Sequence, residues 1–485
     1  MTRTLIALAA SVFTSAQAAD APQLTVYSGD YEAVAQSQSG PGGPGYALLK
    51  QPLQIELGGD RTPFALSALP TALDASSVQL RPRGAAQVLG QRFDFALASE
   101  HELLQRAIGG RVSVEQSAGT TVLRHEGVLL AAGDGLTLRM DDGRLKRLAH
   151  YDSFELATMP EGLVAAPTLN WTLSGRGRQT FDLHYSTAGL AWRAEYQADL
   201  KQASKGCTMR LEGAAMLVNR SGADFDSVSL TLVAGQPNRV TSAGPEMVAM
   251  AAPRAKMVMA DGAPSPEVSG EYHAYRLPGS AHLPQGSIQR LPLLDAANNV
   301  ACERRYETGS RDGGWQPPRP IIDRNFGSGE GEQPVQARLL FQNRKADGLG
   351  LPLPAGRLRV FDDGELLGEA GIGHTAANRE IDVVVGQAFD LSAERTREDF
   401  RLDRSGRQME ERIRVVVRNA KKEAATVRVL ERMGRWNDWE IVASSHAHNK
   451  LDAQSAGFDL PVPAGGETTL SYTVRYRWPA DVTLP

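Results

Sequence analysis

Three acidic side chains offer the most direct route to catalysis in this sequence: Glu369, Asp390 and Glu394. A glycosidase needs two carboxylates about 5 to 10 Å apart, one to protonate the leaving group and one to act as base or nucleophile. Acids at strand ends and turns on a solvated face produce the same pattern, and no flanking motif supports catalysis here. We therefore predict no catalytic residue, and a polysaccharide-active enzyme remains the alternative hypothesis.

Two histidines and an aspartate could approach a metal ion. His446 and His448 are two residues apart, so they share one face if the segment is a strand, and Asp452 could supply a third ligand. No fourth ligand is evident, and the nine histidines are scattered along the chain. A surface pair is the favoured interpretation, and we predict neither a metal site nor a cofactor.

Four methionines, Met247, Met250, Met257 and Met259, lie in residues 240–270, a stretch rich in Ala, Gly and Pro. Thioethers suit Cu(I) in an oxidising compartment. The soft-ligand character of methionine sulfur is by itself a weak criterion for a copper site, however. The stretch also lacks the alternation of apolar and polar residues that a strand shows. The favoured interpretation is a flexible inserted loop with incidental methionines, and copper handling is a third hypothesis.

The stretch "GLGLPLPAGRLRVF" (residues 348–361) has the composition of a phosphate-binding loop. A dinucleotide loop, however, places three glycines at G-x-G-x-x-G between a strand and a helix. Here Gly356 comes too late, no helix pattern follows, and Pro352 and Pro354 lack the backbone N–H groups that a phosphate needs. We predict a strand entry followed by a hairpin at "DDG", with Gly364 in its turn.

The first residues indicate export. Arg3 supplies a positive start, Leu5 to Phe13 form a short apolar segment, and Ala16-Gln17-Ala18 form a small-residue cleavage site, as in a secretory signal peptide. The apolar segment is too short to span a bilayer, which takes about 20 residues. We predict a mature protein that begins at Ala19 and is soluble, periplasmic or secreted, without membrane insertion.

The two cysteines, Cys207 and Cys302, are expected to pair, because exported proteins meet an oxidising environment. Two separate buried thiols are the alternative. We predict a disulfide that ties the inserted 240–270 region to its sandwich. The formal charge of −4 provides no basic surface for nucleic acid.

The pattern of the chain is that of a β-rich protein. Gly and Pro recur along its length, and short alternating segments are separated by turn residues. "SEHE" before "LLQRAI" predicts one short helix, and the strands after it suggest a small SH3-like barrel at about 103–152. "TLSYTVRYRW" alternates Leu470, Tyr472, Val474, Tyr476 and Trp478 with polar residues, which is typical of the closing strand of an immunoglobulin-like sandwich.

Several dense motifs resemble one bacterial family. "GLGLPLPAGRLRVF", "LLGEAGIGHTAANREIDVVVGQAFDLSAERT" and "RVVVRNAKKEAATVRVLE" are similar to domain-of-unknown-function family 4139, some of whose members are named mucoidy inhibitor A-like. "VNRSGADFDSVSLTLVAGQP" fits an earlier part of the same pattern, with Phe225 where the family more often has Trp. The resemblance covers nearly the whole mature chain. It implies a β architecture and no established activity.

The combined prediction is a mainly β fold: an N-terminal β region with a small SH3-like barrel insertion, then β-sandwich units, the last immunoglobulin-like. The predicted boundaries are a signal peptide at 1–18, an N-terminal β region at 19–178, the first part of the family domain at 179–335 and a C-terminal sandwich at 336–482. The predicted function is an exported, non-catalytic scaffold or binding protein of the cell envelope, which contacts an envelope protein or a surface glycan.

Overall fold

The computed structural model describes residues 21–484, except for 37–42, 68, 95–99, 119–120, 159, 161–166, 203–205, 236, 239–265, 270–271, 310–315, 328 and 483. The predicted signal peptide, its cleavage site and the four methionines therefore lie outside the described residues. The chain divides into two compact units. The N-terminal unit comprises Met1–Arg193 and Ala215–Leu291, and the C-terminal unit comprises Ala194–Ala214 and Pro292–Pro485.

Strands dominate the chain up to residue 283, as its alternating pattern predicts. Among the described residues, the α-helices are α1 (Tyr31–Gln36) and α2 (Glu100–Arg106). The strands are β1 (Gln23–Tyr27), β2 (Ala47–Leu66), β3 (Gln79–Pro82), β4 (Gln87–Asp94), β5 (Arg111–Ala118), β6 (Thr121–Gly133), β7 (Gly135–Met140), β8 (Leu145–Leu148), β9 (Ser153–Leu156), β10 (Thr168–Thr187), β11 (Leu190–Gln202), β12 (Cys207–Asn219), β13 (Phe225–Ala234), β14 (Pro266–Ser269), β15 (Tyr272–Arg276) and β16 (Ala281–Leu283).

The N-terminal unit is built on a nine-stranded sheet in the order β14-β15-β13-β1-β2-β10-β3, with β16 paired to β13 and β4 to β10. The long strands β2 and β10 run antiparallel, and β1 lies parallel to β13. Leu24, Leu49 and Leu183 are buried on one face of the sheet, and the residues between them place mostly polar side chains on the other face, with Leu48 as an exception. Phe225 is buried at the start of β13, so its ring packs in the core at the position where the family pattern more often has Trp.

A separate five-stranded sheet, in the order β8-β7-β6-β5-β9, carries the predicted small-barrel region. Leu104 of α2 packs with Val114, Leu129 and Leu138 in a core of its own, so the predicted helix is confirmed. The sheet does not close into the expected barrel: its edge strands, β8 and β9, have four residues each and are not paired with each other.

The C-terminal unit contains the remaining strands. They are β17 (Ser287–Gly309), β18 (Gly331–Gln342), β19 (Gly356–Asp362), β20 (Glu365–Ile372), β21 (Glu380–Asp403), β22 (Gln408–Asn419), β23 (Ala425–Arg432), β24 (Trp439–Ser444), β25 (Asn449–Lys450), β26 (Ser455–Val462) and β27 (Glu467–Arg477). Residues of β17 before Pro292 belong to the N-terminal unit.

The 13-stranded sheet has the strand order β20-β19-β11-β12-β17-β18-β21-β22-β27-β24, with β23 paired to β17 and β26, and β25 to β26. Inward residues of β21, β22 and β27 pack against Val429 of β23 and Phe458 of β26 in one hydrophobic core. Leu470, Tyr472 and Val474 are buried as the alternation of this segment predicts. The mainly β, sandwich-like architecture is thus confirmed.

A disulfide joins Cys207 on β12 to Cys302 on β17, with the two Cα atoms 4.9 Å apart. The predicted pairing is confirmed, since a disulfide requires Cα atoms within about 7 Å of each other. The two strands are neighbours in the sheet order. The bond therefore closes a long excursion of the chain, with a sequence separation of 95 residues, between adjacent strands.

The glycine-rich stretch is a strand entry, as predicted. After a 3-10 turn at Lys345–Asp347, Gly348 and Gly350 adopt left-handed conformations (φ 79° and 88°), and the chain then enters β19. Asp362 pairs with Glu365, so β19 and β20 form a hairpin with a two-residue turn at Asp363 and Gly364, both with positive φ. This combination is that of a type I′ turn.

Three buried asparagines hold the turns at the ends of β12, β18 and β22, and we call them the strand-ending asparagines: Asn219, Asn343 and Asn419. Each side-chain amide donates to a main-chain carbonyl of the segment that follows, namely those of Ala223, Leu351 and Glu423, and each side-chain oxygen accepts from a backbone N–H of that segment. Gly350 N–H, for example, donates to the Asn343 oxygen at 2.8 Å. Buried turn backbone is thereby satisfied without a sheet partner.

No helix among the described residues is long and apolar enough to cross a membrane.

Candidate functional site

A cavity of about 280 Å³ opens in the C-terminal unit, where the ends of β17, β23 and β27 lie beside Arg395 and Arg397 of β21 and Glu411 of β22. Four glycines and the aromatic rings of Phe326 and Tyr476 line part of its wall. Charged and amide side chains line the rest: Gln333, Arg395, Arg397, Glu411, Glu431, Arg432 and Arg435. Such a concentration of charge within a sandwich is unusual, because charged residues are almost never fully buried unless they are paired.

One ion pair joins Arg395 of β21 to Glu431 of β23. The Arg395 Nε atom lies 3.0 Å from Glu431 Oε2. The hydroxyl of Tyr472, on β27, donates to the same carboxylate oxygen at 2.6 Å. Glu431 is 3% exposed, so the guanidinium and the phenol together replace the water that its carboxylate loses on folding.

A second ion pair joins Arg435 to Glu411 of β22, with 2.8 Å between Arg435 Nη2 and Glu411 Oε1. Arg435 is 2% exposed. Its guanidinium also donates to main-chain carbonyls of the segment 321–326, including Ile321 O at 2.9 Å and Asp323 O at 2.6 Å. The Phe400 ring stacks on it, with the Arg435 Cζ atom 4.6 Å from the ring centroid. Arg435 therefore fixes the course of a segment that has no strand partner.

Arg397 supports the same segment from β21. It donates to the carbonyls of Arg324 and Gly327. Its Nε atom lies 3.4 Å from Glu411 Oε1, an ion pair without the geometry of a hydrogen bond. Glu411 thus lies between two guanidiniums.

Burial and neighbouring charges shift the pKa of three side chains at the cavity: Arg395, Tyr472 and Tyr476. Burial alone would lower the pKa of Arg395, but the charges of Glu431 and Tyr472 and the hydrogen bonds to them together outweigh burial, so the pKa of Arg395 is raised. Burial raises the pKa of Tyr472 and of Tyr476, and the charges of Glu431 and Glu411 respectively add to it. Arg395 therefore stays cationic and both phenols stay protonated, so these three side chains are permanent hydrogen-bond donors in the cavity.

The strand pattern contained a signal for this site that our sequence analysis missed. Residues two apart share a face, so Glu431 follows Val427 and Val429 on the inward face of β23. Glu411 likewise shares the inward face of β22 with Ile413. Charged residues at inward positions are the mark of a paired, buried cluster.

Two of the acids considered for catalysis, Glu369 and Glu394, lie at parts of the sheet that are too far apart for a glycosidase pair. Glu394 of β21 pairs with Glu332 of β18. Gly368, the neighbour of Glu369, packs against another part of β21, which pairs with Ala337 of β18. Glu332 and Ala337 are five residues apart on β18. Five residues of an extended strand span about 17 Å, and glycosidase carboxylates lie no more than about 10 Å apart.

Each of these acids has a simple structural environment. Glu369 pairs with Arg359, with 2.6 Å between Arg359 Nε and Glu369 Oε1. Glu394 pairs with Arg418 at 3.1 Å. Asp390 is exposed, and its backbone carbonyl accepts from Ala420 N–H. Solvated ion pairs of this kind are common on sheet surfaces and contribute little to stability.

The histidines and Asp452 have local partners. His446 Nδ1 lies 2.9 Å from the Ser445 hydroxyl, and the His448 ring packs against Phe458. Asp452 accepts from the Ser455 hydroxyl, which lowers the pKa of its carboxyl. In the part of the chain that the structure describes, no group of three His, Cys, Asp or Glu side chains could hold a metal ion.

A family model described as "Domain of unknown function (DUF4139)" matches residues 181–480. This match spans more than half of the chain. The protein belongs to the DUF4139 family. The charged cavity, the disulfide and the C-terminal sandwich all lie within the DUF4139 region. Neither the curated proteins nor the solved structures contain a significant match to the chain.

Proposed function

We propose that this DUF4139 protein is an exported, non-catalytic binding protein of the cell envelope, and that the charged cavity of its C-terminal unit holds a polar unit of a surface glycan. The observation that carries the proposal is the fixed array of donors and acceptors around a cavity of about 280 Å³. Binding sites for small molecules combine an apolar wall with a few well-placed polar groups.

The chemistry of the cavity favours a ligand rich in hydroxyl groups. Hydroxyls both donate and accept, so they suit a wall in which carboxylates and guanidiniums alternate. Gln333 donates to Gly329 O, whereas its Oε1 atom has no hydrogen-bond partner among the described residues. A ligand hydroxyl could donate to that oxygen. Phe326 and Tyr476 would contact the apolar face of a sugar ring.

Non-catalytic binding is favoured over turnover because both carboxylates of the cavity are paired with arginine side chains. Glu431 accepts from Arg395 and Tyr472, and Glu411 lies between Arg435 and Arg397. A turnover assay on envelope polysaccharides, run beside a glycan array, separates this proposal from the enzymatic alternative.

Filling the cavity tests the proposal directly. A Cβ atom at Gly434 would meet its nearest neighbours, Arg432 Nε and Phe326 Cε1, at 3.9 Å, so a side chain can start there without a clash. Gly434→Leu is expected to weaken binding of any glycan found on the array at least tenfold, because its side chain takes the place of the ligand. Calorimetric titration of wild type and variant measures the effect.

Gly373→Leu is the matched control in the same unit, since Gly373 is exposed and a Cβ atom there would have no neighbour within 4 Å. It should bind like the wild type, and both variants should keep the wild-type unfolding temperature. Equal affinity of the wild type and Gly434→Leu would refute a ligand in this cavity.

Export rests on the N-terminal pattern and is supported by the Cys207–Cys302 disulfide, since such bonds persist in oxidising compartments. The exported protein is expected to begin at Ala19, directly after the small-residue site. N-terminal sequencing of protein recovered from outside the cytoplasm checks this. A protein that retains Met1 there would contradict the signal peptide.

A further inference from the structure

A second concave site lies on the polar face of the N-terminal sheet. One row of side chains crosses four adjacent strands: Gln23 of β1 lies opposite Lys50 of β2, Lys50 opposite His184 of β10, and His184 opposite Gln79 of β3. Successive side chains of a strand point to opposite faces of the sheet, so residues that pair directly across neighbouring strands share a face. This row therefore sits on one face of the sheet, and it lines a concavity of about 360 Å³.

The next row on the same face carries smaller side chains. Thr25 lies opposite Leu48, and Leu48 lies opposite Ser186. All three line the same concavity. Hydroxyl groups, an apolar patch and amides thus lie within one groove, in the mixture that ligand sites show.

An aromatic pair closes one end of the groove. Tyr46, two residues before Leu48, lines both the groove and an adjoining cavity of about 70 Å³. Its ring lies against Tyr27, with 5.4 Å between the ring centroids. Phenol rings at the end of a polar groove provide an apolar surface for the C–H face of a ring-shaped ligand.

The charges around the groove are mostly positive. Lys50 is exposed, and Arg81 lies two residues from Gln79 on the same face. Asp182 faces the same way but is held by Arg83, with 2.7 Å between Arg83 Nη2 and Asp182 Oδ1. Its negative charge is thereby compensated, and Lys50 remains the cation nearest to the centre of the row.

We propose that this groove binds a hydroxyl-rich anion, with a carboxylate at Lys50, hydroxyls at the amide and hydroxyl side chains around it, and a sugar ring against Tyr46. A carboxylate beside an exposed ammonium forms a charge-assisted hydrogen bond. The site belongs to the N-terminal unit and does not depend on the cavity proposed above.

The test compares glucuronate with glucose, which lacks the carboxylate, on the mature full-length protein. Calorimetry is expected to show binding of glucuronate at least tenfold tighter than of glucose. Lys50→Met should abolish that preference, and Lys50→Arg should restore most of it. Lys422→Met changes an exposed lysine of the other unit and should bind as the wild type does.

Three outcomes would overturn the proposal: no binding of glucuronate, equal binding of both sugars, or an unchanged preference in Lys50→Met. The Gly434→Leu variant should keep its glucuronate binding, so failure here and failure of the C-terminal cavity can be told apart.

The pH dependence gives a second readout. Burial, together with the charge of Lys50, lowers the pKa of His184 below the usual 6.5, while Asp182 opposes and Arg81 reinforces this shift. As the pH falls through that lowered pKa, His184 gains a charge and the affinity for glucuronate should rise. His184→Gln should remove the rise. A rise that persists in His184→Gln would assign it to another group.

Discussion

Replacing Arg435 by methionine is expected to lower the free energy of unfolding by about 3–5 kcal/mol, the usual cost of removing one partner of a buried ion pair. Arg435 is 2% exposed, and its loss leaves Glu411 with the more distant Arg397 alone. The carbonyls of Ile321 and Asp323 lose their donor as well. Denaturant unfolding followed by tryptophan fluorescence measures the change.

The control is Arg412→Met, at an exposed arginine next to Glu411 on β22. It should alter the free energy of unfolding by less than about 0.5 kcal/mol. A double variant, Arg435→Met with Glu411→Gln, should lose less than the sum of the two single variants, because it leaves no unpaired carboxylate. Strict additivity would mean that the two side chains are not coupled, which would contradict the ion pair as the cause.

Removing the disulfide is expected to be the other large effect. Cys207→Ser with Cys302→Ser should lower the free energy of unfolding by about 2–4 kcal/mol, because the bond closes a loop whose ends are 95 residues apart. Thermal unfolding with and without a reducing agent measures it.

The reducing agent provides the internal control. Reduced wild type should unfold like the double serine variant, and the variant itself should not respond to the reducing agent. If reduction destabilised the variant as much as the wild type, the effect could not come from this bond.

Much of the fold could be predicted from the sequence because the patterns that determine its strands and turns involve only neighbouring residues. The alternation of Leu470, Tyr472 and Val474 determines which face of β27 is buried, whatever the strand packs against. The "DDG" turn likewise needs only the positive φ values that Asp363 and Gly364 can adopt. Both predictions depend on neighbouring residues, and both are confirmed.

The charged cavity could not be predicted in the same way, because its members meet only in three dimensions. Arg435 lies in no strand, so no periodicity indicates that it is buried. Its partner Glu411 shows an inward position in its own strand, but the pattern does not say which cation it meets. The open edges of the small sheet could not be predicted either, since closure into a barrel depends on the lengths and tilt of all five strands rather than on the pattern of any one strand.

The strand-ending asparagines bear on how this protein ages. Spontaneous deamidation begins when the backbone nitrogen of the following residue attacks the side-chain amide carbon. In the three turns these are the backbone nitrogens of Arg220, Arg344 and Ala420. Each of them already donates its hydrogen to a main-chain carbonyl. The side-chain amides are held as well, so the ring closure that deamidation requires must wait for local unfolding. Chemical decay at these turns is therefore limited by the stability of the fold itself.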